Sequence, residues 1–178
     1  MTNPAARINA FRAAVVAAVK TAMPALRQCE EQFGRFNLED LETNIISSPA
    51  VRIAVLKAKM NDQAGGEIAA SLSCSAFIIT DGRERNAQAW TIAEALIVLL
   101  HSSQMWGLTK LGAPTNVEIQ PLVTVKLKQR GAAIIAVEWT QKLRNLGTGI
   151  FDDEQHLLTE LYVNDEEWPL EADGGANG

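Results

Sequence analysis

The stretch PAVRIAVLKAKMNDQAGGEIAASLSCSAFIIT, residues 49–80, decides the fold. Val51, Ile53 and Val55 alternate with Arg52, Ala54 and Leu56, the period of two that marks a strand, and Lys57 and Lys59 continue the polar phase. One face of this strand is expected to be buried and the other at least partly wet. Asn61-Asp62-Gln63-Ala64-Gly65-Gly66 is turn chemistry. Glu67–Thr80 returns as a second strand, with Ile68, Ala70, Leu72, Cys74, Ala76 and Ile78 in one phase. Cys74 is then a small core-facing hydrophobe, and Ser71, Ser73 and Ser75 form a polar strand face. The two runs make an antiparallel hairpin.

Upstream of the hairpin, Asn3-Pro4 is a helix start, a capping residue followed by proline at the first helical position. Ile8, Phe11, Val15 and Val19 then lay an apolar stripe along one helix face, and Pro24 ends the helix. Leu26–Phe33 is ambiguous, with a short extended segment as one reading. Asn37–Asn44 reads as polar helical turns or a loop, with Leu38, Leu41 and Ile45 available to pin it to the body.

Downstream, Asp81-Gly82-Arg83 breaks the strand and Asn86 is expected to cap a second helix. Trp90, Ala93, Leu96, Ile97 and Leu100 give its buried face, and Gly107 marks its exit. Val117–Gln129 is a strand interrupted by Pro121, which places it at a sheet edge or at a bulge. After the turn at Arg130-Gly131, Ala132–Leu143 is its antiparallel partner. Ile134, Ala136, Glu138 and Thr140 share one phase, and Ala133, Ile135, Val137 and Trp139 the other. The predicted fold is α+β: an antiparallel sheet of two hairpins, four or more strands in all, covered on one face by two amphipathic helices. The domain spans residues 1–148, and residues 149–178 form an acidic C-terminal extension that is partly disordered or docks on a neighbour.

The 178 residues include 47% hydrophobic but only 6% aromatic side chains, enough for one aliphatic core. The net charge of −5 is unevenly spread. Residues 1–150 hold all 16 Lys and Arg against 12 Asp and Glu, whereas residues 151–178 hold nine acids and no base. Such a split between segments marks an interaction tail or a solvated end. Trp168 and Leu170 stand among those acids as candidate docking anchors. Two cysteines, Cys29 and Cys74, outside any CxxC or metal-type cluster, suit a reducing cytoplasm. No signal peptide is read at the N-terminus, and the longest apolar run, Ala95–Leu100, is too short for a bilayer, so no membrane partner is expected.

Catalytic signatures are missing from the sequence. There is no GxSxG, no GxxxxGK[ST] and no GxGxxG, and Gly65-Gly66 belongs to a hairpin turn. His101 and His156 lie apart with no ligand set around them, so no metal and no cofactor is predicted. Glu118 and Glu138 can meet across the last hairpin, as a surface carboxylate pair rather than an acid–base couple. Lys126, Lys128 and Arg130 alternate on one strand face, with Lys142 and Arg144 on the partner. With only Trp139 nearby, this stripe suits a subunit contact better than nucleic acid, and no specific nucleic-acid binding is expected. The candidate interface residues are Arg52, Lys57, Lys59, Lys126, Lys128, Arg130, Trp168 and Leu170.

The strand Pro49–Val55, the returning strand ending Phe77-Ile78-Ile79-Thr80, the helix start at Ala87-Gln88-Ala89-Trp90, the Trp106-Gly107 exit and the strand Gly131–Trp139 together resemble the phage Mu-like tail terminator family, over roughly residues 4–146. The resemblance rests on apolar strand patterns, not on catalytic motifs. It implies a structural virion protein, not an enzyme, made in the bacterial host cytoplasm. Such a protein caps the head-proximal end of the tail tube as a closed ring, a hexamer, and stops tube polymerisation. Its partners are then further copies of itself, the tail tube protein and the head–tail connector or neck protein. The alternatives are another neck or tail-tube subunit of the same building plan and, from another class, a small ligand-binding domain or enzyme, or a nucleic-acid module using the basic body.

Overall fold

The computed structural model describes residues 6–36, 46–62, 67–101, 105–122, 131–147, 161–163 and 166–168. Helix α1 (Arg7–Ala22) leads into strand β1 (Gln28–Gln32). The hairpin β2 (Ala50–Asp62) and β3 (Ile68–Asp81) follows, then helix α2 (Arg85–His101). Strands β4 (Thr115–Leu122) and β5 (Ala132–Arg144) complete the body, and β6 (Leu161–Val163) and β7 (Glu166–Trp168) form a separate two-stranded hairpin.

The body is α+β, with one five-stranded sheet in the order β1-β2-β3-β5-β4. The two predicted hairpins are present, and they join through β3 and β5. The sheet is not antiparallel throughout. The ambiguous segment is β1, and it pairs parallel to β2, Cys29 opposite Val51 and Gln32 opposite Ala54. A parallel neighbour needs a connection of a dozen or more residues rather than a tight turn, and residues 33–49 supply that length between the two strands. Pro121 sits in β4, an edge strand, as a proline within a sheet requires, and the strand carries a separate register irregularity between Thr115 and Glu118.

Both helices cover one sheet face. Phe11, Val15 and Val19 of α1 and Ala89, Ala93, Leu96 and Leu100 of α2 are buried against Val51, Ile53, Leu72, Cys74, Ile78, Ile135 and Val137. Each large aliphatic or aromatic side chain so buried contributes about 1.5–3 kcal/mol. Trp90, expected in this core, is 48% exposed. The buried face runs through Ala89, Ala93, Leu96 and Leu100 at spacings of four, three and four, and Trp90, one residue and about 100° round the helix from Ala89, is turned outward. The second helix begins at Arg85, one residue before the expected cap Asn86. The Asn3-Pro4 start lies outside the described residues, and Ala6 precedes α1 without a side-chain cap.

The opposite sheet face is divided along its length. At one end Phe36, Ala50, Ala54, Phe77, Ile79, Ile134 and Ala136 form a second buried cluster. Phe36 covers it, its ring centroid 5.8 Å from that of Phe77. The expected wet face of β2 is therefore dry over its first half. At the other end the face is polar. Residues Val55 and Lys57 of β2 pair with the adjacent residues Cys74 and Ser73, so Leu56 is the extra residue of a bulge. Without it, period two would put Lys57 and Lys59 under the helices beside Val55. With it, both lie opposite Ser73 and Ser71 on the face away from the helices.

Candidate functional site

The polar half of the open face is built by three strands. Lys57 stands opposite Ser73, which stands opposite Thr140, and Lys59 opposite Ser71, which stands opposite Lys142. Arg144 follows opposite Ala69. Lys57, Lys59 and Arg144 are exposed and Lys142 is half-buried. None of the four makes an ion pair among the described residues. Lys110, beyond the edge, is held by Glu67 at 2.8 Å, and that ion pair, with Arg144 adding to it, lowers the Glu67 pKa.

Where the cationic half meets the apolar half lies an open depression of about 520 Å³. Arg35, Lys57, Ser73, Glu118, Glu138 and Thr140 give its polar wall. Glu118 and Glu138 are register partners across β4 and β5, as the sequence allowed. Arg35 reaches over β2 and β3 to Glu138 at 3.2 Å and partly neutralises the pair. Below it the Ser75 hydroxyl is fully buried and unpartnered.

Arg52 does not belong to this surface. It is only 9% exposed, and its guanidinium donates to the Glu30 carboxylate and to Gln28 Oε1, at 3.3 Å for the latter. Its charge is spent inside the fold, tying β2 to the parallel strand β1. Residues Lys126, Lys128, Arg130 and Leu170 lie outside the described residues, and Trp168 lies in β7, opposite Leu161. Of the predicted interface set, the fold thus brings together Lys57 and Lys59 and adds Lys142 and Arg144.

The sheet presents two unlike edges. β4 is the outer strand on one side. On the other, β1 covers only Ala50–Ala54 of β2, and among the described residues no strand pairs with the remainder, Val55–Asp62, on that side. Unpaired strand edges carry unused N–H and C=O groups and invite a strand from another chain.

Cys29 and Cys74 are free and buried. Burial pushes the Cys29 thiol up to about 11 and the Cys74 thiol up to about 12, so both are protonated at neutral pH. Among the described residues no cluster of His, Cys, Asp and Glu could hold a metal ion, and no helix is long and apolar enough to cross a membrane. In comparisons with known proteins, no family model and no curated protein matches this sequence.

Proposed function

We propose that this chain is a structural subunit of a phage virion that closes the head-proximal end of the tail tube as a ring and joins it to the head connector. The observation that carries the reading is the pair of unlike open edges, β4 on one side and the Val55–Asp62 half of β2 on the other. Pairing one kind of edge with the other is a head-to-tail contact, which repeats from subunit to subunit and closes when the rotation per step divides a full turn. The edges also differ in charge: Lys57 and Lys59 stand on the β2 side and Glu118 on the β4 side. The resemblance to the Mu-like tail terminator family supports the same reading, with a hexamer, a tube protein and a connector protein as its partners.

The same edges serve an open polymer, which is what a tail-tube subunit would build. Mass measurement of the full-length protein over a hundredfold concentration range, with negative-stain microscopy, separates the two. One ring species of constant mass is expected. Long stacks would favour the tube reading, and a monomer at every concentration would overturn both.

A further inference from the structure

The cations of the polar half-face make no ion pair among the described residues. Lys57, Lys59, Lys142 and Arg144 lie on neighbouring strands of one surface, within about 10 Å across the sheet at the usual strand spacing. Of the carboxylates near them, Glu138 is engaged by Arg35 and Glu67 by Lys110, while Glu118 shares the neighbouring depression with Lys57. The chain also contains a segment of opposite character. Residues 161–178 carry Asp165, Glu166, Glu167, Glu171 and Asp173 and not one base.

Part of that segment is a hairpin, with Leu161 opposite Trp168, Tyr162 opposite Glu167 and Val163 opposite Glu166. Two strands of three residues are not stable alone in water and need a surface to pack on. The place where the body ends supplies the reach. β5 finishes at Arg144, itself a member of the cationic set, and Leu146 is held by a backbone hydrogen bond to Ile68. From Gly147 to Leu161 the connection is residues 148–160, which extend to about 50 Å at most, several times the width of the patch.

We infer that the acidic C-terminal segment, residues 161–178, docks on the Lys57–Lys59–Lys142–Arg144 face of its own chain. Tethering raises its local concentration far above that of any free anionic partner. Any partner that uses Lys57 and Lys59 must then displace the segment first. The inference rests on charge, register and reach, and stands whether or not the chain forms a ring.

The test is zero-length carbodiimide cross-linking of the full-length protein at low salt, read by peptide mass spectrometry on an equal mixture of light and isotope-labelled chains. Links from Glu166, Glu167, Glu171 or Asp173 to Lys57, Lys59 and Lys142, within one chain, are expected. They should exceed links to the exposed Lys20 of α1 by about tenfold or more, the scale of a tethered contact. Raising NaCl from about 0.05 M to about 1 M shortens the screening length to about 3 Å and should remove the excess. The double variant K59E/K142E, with substitutions on the solvent side, should lose the remaining link to Lys57 by a similar factor. Equal yield at Lys20, links found only between copies, or an excess that survives high salt would each overturn the inference.

Discussion

Gln141 occupies a position where the alternation of β5 calls for an apolar side chain, on the helix-covered face between Trp139 and Leu143. It is fully buried and forms a hub. Its Oε1 accepts from the indole N–H of Trp106 at 2.9 Å and from that of Trp139 at 3.2 Å, while its Nε2 donates to the carbonyl of Gly112 at 2.9 Å. The hub holds the loop after α2 against β5, where Gly112 lies so close that a Cβ there would stand 3.3 Å from Cβ of Lys142. Replacing Gln141 with Leu keeps the volume but strands two donors and one acceptor, each worth about 1–3 kcal/mol when buried and unpaired. The expected loss is about 3 kcal/mol or more, measured from the urea midpoint at constant m-value. A loss under about 1 kcal/mol would show that the three groups find other partners. Trp139 was legible as a strand residue in phase with Ile135 and Val137, but the acceptor it shares with Trp106 was not, because Trp106 and Gln141 are 35 residues apart.

At the scale of elements, the segment after β1 does the most unexpected work. Phe36 and Arg35 cross the open face to Phe77 and Glu138, turning half of a solvent face into a second core. The sequence carried a sign of this. Ala76-Phe77-Ile78-Ile79 and Ala133–Val137 are apolar in both phases, the mark of strands covered on both sides. What covers the second side had no local mark, since a lone Phe in a loop fits many places. Phe36→Ala should cost about 3–5 kcal/mol, the usual cost of emptying a buried Phe site. Hydrogen exchange should then rise over the Phe77–Ile79 and Ile134–Ala136 amides more than under α1. Equal protection in both regions would mean that the segment contributes little to the second core.

At the scale of the whole molecule, the two buried thiols contribute a loss of stability at alkaline pH. Their ordinary value is 9.0, and the fold raises Cys29 to about 11 and Cys74 to about 12. The unfolded chain therefore loses these protons first as pH rises, and folding stability falls from about pH 9 until the folded-state values are passed. Below pH 9 the contribution of both thiols is complete. Urea midpoints at pH 8 and pH 10.5 should show the decline, and Cys74→Ala should flatten it while lowering stability at both pH values. An unchanged slope in that variant would assign the decline to other groups. The native protein should also react slowly with a thiol reagent at pH 8 and fully once denatured.

The sequence by itself determined the local elements: two amphipathic helices, two hairpins, an edge strand marked by Pro121 and a core face through Cys74. These follow from periods of two and 3.6 and from turn residues, which act over a few neighbours. Tertiary structure decided the rest. It made β1 the parallel partner of β2, buried Arg52 and paired it with the exposed Glu30, left Trp90 exposed, and used the bulge at Leu56 to put Lys57 and Lys59 on the open face. Each of these depends on which distant strand or segment lies alongside, and on a single inserted residue that inverts every side chain after it. No pattern within one element specifies such neighbours.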